Sequence, residues 1–256
     1  MIYGARSNGK QHGLVLTKPS VVKKMLDLVD YHASNDLSGK KIIEPASGDG
    51  AFAIPIINTL YESSQRYNFN FELALRNLKF FEIDGIMYDL LEKHVSNRLI
   101  ELGYELPQGV IQKCDFLTSD FEKVDIVIGN PPYVRHENIP ETEKHIYRKK
   151  FGTFTHRSDL YIAFFEKGLK SLKDDGCLSF ICSNRWLKNQ YGEKLRNYIH
   201  HGFELLEIID LEQAAPFEEE VIAYPAIVNI SNKKDGRKPN YYKLRDIKLL
   251  EEFSRK

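Results

Sequence analysis

The sequence predicts an α/β protein built on a doubly wound, mostly parallel sheet with helices on both faces. Three observations carry that expectation. Segments of strand pattern alternate with segments of helical pattern almost throughout the chain. The chain has 256 residues, 42% of them hydrophobic, enough for one domain with a full core. Short Gly-, Pro- or acid-containing turns follow several of the strands, where such sheets place their ligands.

In order, "TKPSVVKKMLDLVDYH" carries Val21, Val22, Met25, Leu26, Leu28 and Val29 at helical spacing, with Pro19 in the first turn. "KKIIEP" is a short strand that runs into the turn "ASGDG", and "AFAIPIINTLYESS" is the helix that follows. "LKFFEID" is the next strand, and "GIMYDLLEKHVSNRLIELG" a long helix that stops at Gly103. "GVIQKCDF" and "VDIVIGN" are two more strands, and residues 134–157 read as a charged, irregular stretch. "SDLYIAFFEKGLKSLKDDG" is a helix with a glycine stop at Gly176. "CLSFICS" is a strand, "QYGEKLRNYIHHG" a helix, and "FELLEIIDL" and "VIAYPAIVNI" are the last strands. Residues 232–256 read as a charged tail or linker.

Charge and cysteine usage narrow the function classes. Lys+Arg and Asp+Glu are both 36, so a polyanion must be met by a local patch rather than by a basic excess. The basic and aromatic residues of "EKHIYRKKFGTFTHR" are the candidate patch. Cys114, Cys177 and Cys182 fit no zinc spacing, so no metal is expected and the thiols read as reduced, in a cytoplasmic protein. The polar N-terminus lacks the apolar region of a signal peptide, and no run is long enough to span a membrane.

Four strand ends carry chemistry. In "EPASGDG", Gly48 and Gly50 permit a tight turn with close backbone approach to a ligand, although an ordinary glycine turn has the same signature. Glu82 in "FEID" suits the two hydroxyls of a ribose; a solvated loop acid is the plainer reading. Asp115 in "CDF" can accept from an adenine amine, and Phe116 can lie on the ring. "NPPY" is the most specific segment. Its prolines remove N–H donors, so Asn130 and the Pro131 carbonyl are left as acceptors for one amino group. Tyr133 can stack on a flat ring. That set suits an exocyclic aromatic amine, whose lone pair two acceptors would localise for attack.

These segments, with "GLVLTKP", "DLYIAFFEKGLKSLKDDG", "SFICSNRWL" and "FEEEVIAYPAIV", resemble the catalytic domain of γ-class N6-adenine DNA methyltransferases. The likeness is nearest to the methylase part of type IIG restriction–modification enzymes. It implies a seven-stranded Rossmann-like sheet with its last strand antiparallel, S-adenosylmethionine as cofactor and DNA as substrate. By the same resemblance Thr17 contacts the cofactor's methionine carboxylate, and Glu44, Ala46 and Gly48 form the methionine-binding turn. Glu82 is the ribose acid, and Asp115 and Phe116 contact adenine. Asn130, Pro131 and Tyr133 form the catalytic loop, and Phe217 packs with Tyr133 against the flipped target base. The catalytic domain is expected over residues 1–231, with no target-recognition domain after it, so a separate recognition or restriction subunit is the expected partner. Similar loops serve methyl transfer to cytosine N4, RNA bases and protein glutamine, and a non-catalytic cofactor-binding remnant is the non-enzyme alternative.

Overall fold

The computed structural model describes residues 16–218 and 224–252. The lead-in up to residue 15, and with it the first three residues of "GLVLTKP", lies outside them, as do residues 219–223. Eight strands form a single sheet: β1 (Ile42–Glu44), β2 (Leu78–Glu82), β3 (Ile111–Lys113), β4 (Val124–Gly129), β5 (Leu172–Ser183), β6 (Glu204–Asp210), β7 (Pro225–Ser231) and β8 (Asn240–Lys243). Their spatial order is β3-β2-β1-β4-β5-β7-β6-β8. β1 pairs in parallel with both β2 and β4, so the chain reverses its direction of travel between these two neighbours. Only β7 runs against the rest, antiparallel to β5 and to β6.

Adjacent residues of the central strands face opposite cores. Ile42, Phe80, Ile126 and Ile128 pack on one side with the helices α1 (Pro19–Leu28), α2 (Ala53–Tyr67), α3 (Phe71–Leu75) and α4 (Gly85–Glu101). Ile43, Phe81, Val127 and Leu178 pack on the other with α5 (Glu141–Lys150), α6 (Tyr161–Lys170) and α7 (Glu193–Gly202). Burial on both faces is why these strands read as continuous hydrophobic runs rather than as alternating ones.

The structure departs from the sequence reading in four places. The stretch expected to be irregular contains α5, which follows Pro140 and has Glu141 and Glu143 in its first turn and Arg148, Lys149 and Lys150 in its last. That charge order complements the helix dipole. The expected glycine stop at Gly176 is not the end of α6. The helix ends at Lys170, and Gly176 lies within β5, where Val124 pairs with Leu172 but Ile126 pairs with Cys177. The strand count is eight rather than seven. β8 and a short helix, α8 (Leu249–Glu252), arise from the expected tail; β8 adds to β6 in parallel, so the antiparallel strand is not the last. Finally, α3 had no counterpart in the sequence reading. Trp186 is buried, and the three cysteines are free. Among the described residues no helix is long and apolar enough to cross a membrane.

Gly192 marks a tight approach between the turn before α7 and residues 184–187. A Cβ there would collide with the Trp186 carbonyl oxygen, a backbone atom that cannot rotate away. Gly192→Ala is expected to destabilise the fold by about 1–3 kcal/mol, the cost of overpacking. The check is the urea midpoint at an unchanged m value.

Candidate functional site

All four candidate segments lie at the carboxyl ends of parallel strands, and the sheet order puts them in a row: Asp115 after β3, Glu82 on β2, Glu44 on β1, Asn130 after β4. Neighbouring strands stand ~4.8 Å apart, so four adjacent ends span roughly 15 Å. The middle of the row, between β1 and β4, is the point where strand order reverses and a crevice opens.

The β1 turn is built on main-chain geometry. Gly48 has φ +55°, in the left-handed region, and its N–H donates to Glu82 Oε2 at 2.8 Å. The N–H groups of Ile83 and Asp84 donate to Glu82 Oε1, each at 2.8 Å. Burial raises the Glu82 pKa, and the three N–H bonds offset part of that rise. Ser47 N–H donates to the Phe81 carbonyl at 2.8 Å, a second tie between the two strand ends. Ala46 is half-buried against the α5–α6 core. Glu44 is 1% exposed, and its Oε2 has no hydrogen-bond partner among the described residues. Burial pushes its carboxyl well above the usual carboxylate range. A buried acceptor of this kind fits a ligand that brings an ammonium group, which would stabilise the ionised form.

Asn130 leaves β4 beside this turn. Gly129 before it is so close to β1 that a Cβ would stand 3.4 Å from the side chains of both Glu44 and Pro45. Asn130 Nδ2 donates to Thr17 Oγ1 at 3.1 Å, which presents the amide oxygen as the acceptor. Thr17 is held by a two-stranded patch remote in sequence. It bridges to Phe217, while Lys18 N–H donates to the Pro216 carbonyl and Glu218 N–H to that of Leu16, both at 3.0 Å. Phe217 in turn meets Tyr133 edge to face, with ring centroids 6.0 Å apart and planes at 81°. Thr17, Asn130, Tyr133 and Phe217 therefore form one cluster, in which Thr17 stands 113 residues before Asn130 and Phe217 stands 87 residues after it, by the difference of their positions. The Tyr133 hydroxyl is buried without a hydrogen-bond partner among the described residues, and burial raises its pKa.

The loop after Tyr133 is held by groups the sequence reading did not single out. Val134 N–H donates to the Pro132 carbonyl and Leu160 N–H to that of Val134, each at 3.0 Å. Asp159 accepts the His136 N–H at 3.2 Å. Glu166 on α6, 3% exposed, accepts from Thr153 N–H at 2.7 Å and from Lys170 at 2.6 Å. Acids facing main-chain N–H groups across a helix–loop contact leave no short motif in a sequence.

Phe116 requires a correction. Its ring is fully buried and packs with Phe81, Phe121 and Phe164, at centroid distances of 5.4–5.7 Å. It is a core ring and does not lie open for stacking on a ligand; only the main chain of Phe116 remains at the strand end. Among the described residues no cluster of three or more His, Cys, Asp or Glu side chains could hold a metal ion. A cleft of about 500 Å³ opens beside the glycine turn, where Thr17, Asp49, Gly50 and Ala51 face His94, Asn97 and Arg98 of α4; none of the strand-end carboxylates lines it.

Comparison with known proteins matches residues 38–217 to the Eco57I restriction-modification methylase family. Similar curated proteins include the type II methyltransferase M.BstVI of Geobacillus stearothermophilus, 36% identical over 88% of this chain and 43% of that protein. The type II methyltransferase M.XhoI of Xanthomonas vasicola is 34% identical over 89% of this chain and 44% of its own length. The chain thus spans less than half the length of these relatives. Among solved structures, a Listeria monocytogenes protein assigned to the class I S-adenosylmethionine-dependent methyltransferases superposes with a TM-score of 0.68 at 16% identity, over 95% of this chain and 68% of its own. The methyltransferase subunit of a type I restriction-modification system from Streptococcus thermophilus superposes with a TM-score of 0.68 at 17% identity, over 92% and 48%. By its sequence match over most of its length, the chain belongs to the Eco57I restriction-modification methylase family.

Proposed function

We propose that this chain transfers a methyl group from S-adenosylmethionine to the N6 amino group of adenine in DNA, as part of a type II restriction–modification system. The observation that carries the proposal is the row of strand ends that leads to Asn130, with Tyr133 and Phe217 beside it. Bound along that row, the cofactor supplies an electrophilic methyl group on a sulfonium. Glu44, with Ala46 and Gly48 of its turn, would hold the methionine end, Glu82 the ribose and Asp115 the adenine amine.

The remaining work falls to the chain's own groups. A target adenine must leave the duplex stack before its amine can be reached. Tyr133 and Phe217 provide aromatic surface for the flipped base. Asn130 Oδ1, fixed by the bond from Nδ2 to Thr17, and the Pro131 carbonyl accept from the amine's two hydrogens. That draws the nitrogen lone pair out of conjugation and toward the methyl carbon. As the carbon–nitrogen bond formed, the carbon–sulfur bond would break with a neutral thioether as leaving group, and the methylated amine, now cationic and acidic, would lose one proton to water. Orientation and acceptor placement supply the catalysis. Cytosine N4 offers the same kind of amine, so the assay compares DNA substrates with adenine or cytosine as the only base able to react. We also propose that sequence-specific DNA readout comes from a further recognition unit, on the same polypeptide or another subunit. A specific interface of roughly 1,000 Å² or more is needed, and the neutral catalytic unit has one modest basic stretch.

Asn130→Ala is expected to lower kcat by about 10²–10³, the scale for losing one preorganised hydrogen-bonding group, while cofactor affinity stays within about twofold. Single-turnover methyl incorporation and calorimetry separate the two quantities; wild-type turnover in the variant would sink the mechanism. Tyr133→Phe is expected to keep near-wild-type turnover, since the hydroxyl has no partner, whereas Tyr133→Ala loses about 1–3 kcal/mol of base stacking. A Phe variant as poor as the Ala variant would give the hydroxyl the role instead. Glu82→Ala is expected to weaken cofactor binding by about 1–3 kcal/mol, through the lost carboxylate and the loosened Gly48 turn. Unchanged calorimetric affinity would remove Glu82 from the site.

A further inference from the structure

α5 follows the Asn130–Tyr133 loop and packs back over the turn after β3. Tyr147, 1% exposed, donates its hydroxyl to Asp115 Oδ2 at 3.1 Å. The other oxygen, Oδ1, accepts the Leu117 N–H at 2.9 Å. These two bonds, one to each oxygen, hold the plane of the carboxylate. The turn is gripped a second way, through its main chain: Lys150 donates to the Thr118 carbonyl at 3.1 Å, and Lys167 of α6 to that of Ser119 at 2.6 Å. Both lysines hold the backbone, whereas Tyr147 holds the side chain that would meet a ligand. Glu143 lies one helical turn before Tyr147, on the same face. Its Oε2 is buried without a hydrogen-bond partner among the described residues, and the charge of Asp115 adds to burial in raising its pKa. A tyrosine hydroxyl spent on an acid at a strand end, with a second buried acid beside it, is an arrangement that hydrophobic packing alone would not select.

We propose that Tyr147 is a positioning residue for recognition of the cofactor's adenine: it aims the Asp115 carboxylate at the 6-amino group, which makes α5 part of the cofactor site. The inference rests on the assignment of Asp115 to adenine made above. It also links the two ends of the site, because the segment that positions Asp115 is continuous with the loop that carries Asn130.

The test measures binding rather than turnover. The full chain is titrated calorimetrically with S-adenosylhomocysteine and with its analogue carrying unsubstituted purine in place of adenine. The wild type is expected to prefer the adenine ligand by about tenfold or more, the difference that 1.4 kcal/mol makes, and Asp115→Ala to abolish the preference. Tyr147→Phe keeps the packed ring. It is expected to bind the adenine ligand about five- to tenfold more weakly, with affinity for the purine analogue unchanged. Lys150→Ala is expected to leave the preference as it is. If Tyr147→Phe weakens both ligands equally, or keeps the wild-type preference while Asp115→Ala loses it, the positioning role is overturned. If Asp115→Ala itself keeps the preference, the assignment of Asp115 has failed, and the inference falls with it.

Discussion

The geometry of the site depends on one buried carboxylate. Glu82 takes main-chain N–H groups from its own strand end and from the turn after the neighbouring strand, so the ends of β1 and β2 move as one unit. An acid buried without such donors would be forced toward its neutral form. Here the donors are present before any ligand is, and a ligand hydroxyl would meet an acceptor already oriented. Glu44 is the contrasting case. It is the more deeply buried of the two but has an oxygen without a partner among the described residues, and the fold bears that cost. A preorganised acceptor next to an uncompensated one describes a site whose binding energy is concentrated where charge is supplied from outside.

Much of this was legible in the sequence, for a physical reason. Ile126-Val127-Ile128 and Phe80-Phe81 are apolar at every position because each residue serves one of two cores, and that leaves an unbroken pattern. Gly, Pro and acid at the strand ends stand out against it. α5 was not legible because eight of its ten residues lie outside the core and only Lys144 and Tyr147 are buried. β8 was missed for the same reason: it is an edge strand with three of its four residues exposed. Phe116 shows a different limit. An aromatic after a strand end suits either a ligand face or a core, and only packing against Phe81, Phe121 and Phe164 decides which. Thr17 was placed at the cofactor by resemblance, but its bond to Asn130 joins positions that no local pattern connects.

The two faces of the sheet are interlocked at the site. Ala46 of the glycine turn packs on the α5–α7 core, while Tyr133 and Phe217 pack on the α1–α4 core, and Asp159 and Glu166 staple the chain that follows the Asn130 loop. The switch point between β1 and β4 is where the two meet. The loop from Asn130 to Ile139 is therefore fixed at both ends by rigid elements, even though it has little regular structure of its own. Rigid support of this kind is what positioning catalysis requires, since small displacements of a reacting group are costly.

The bridge between Thr17 and Phe217 sets a schedule as well as a shape. Asn130 is braced by Thr17, and Thr17 is braced by a segment made 87 residues after Asn130, as the difference of the two positions shows. At a synthesis rate of ~5–20 residues per second, that segment follows the loop by roughly 4 to 17 seconds. During the interval the nascent chain can form β1 to β4 and their helices but cannot close the aromatic cluster around the loop. Closure waits for the remote partner, so a late segment of the domain completes the first functional position to have been read.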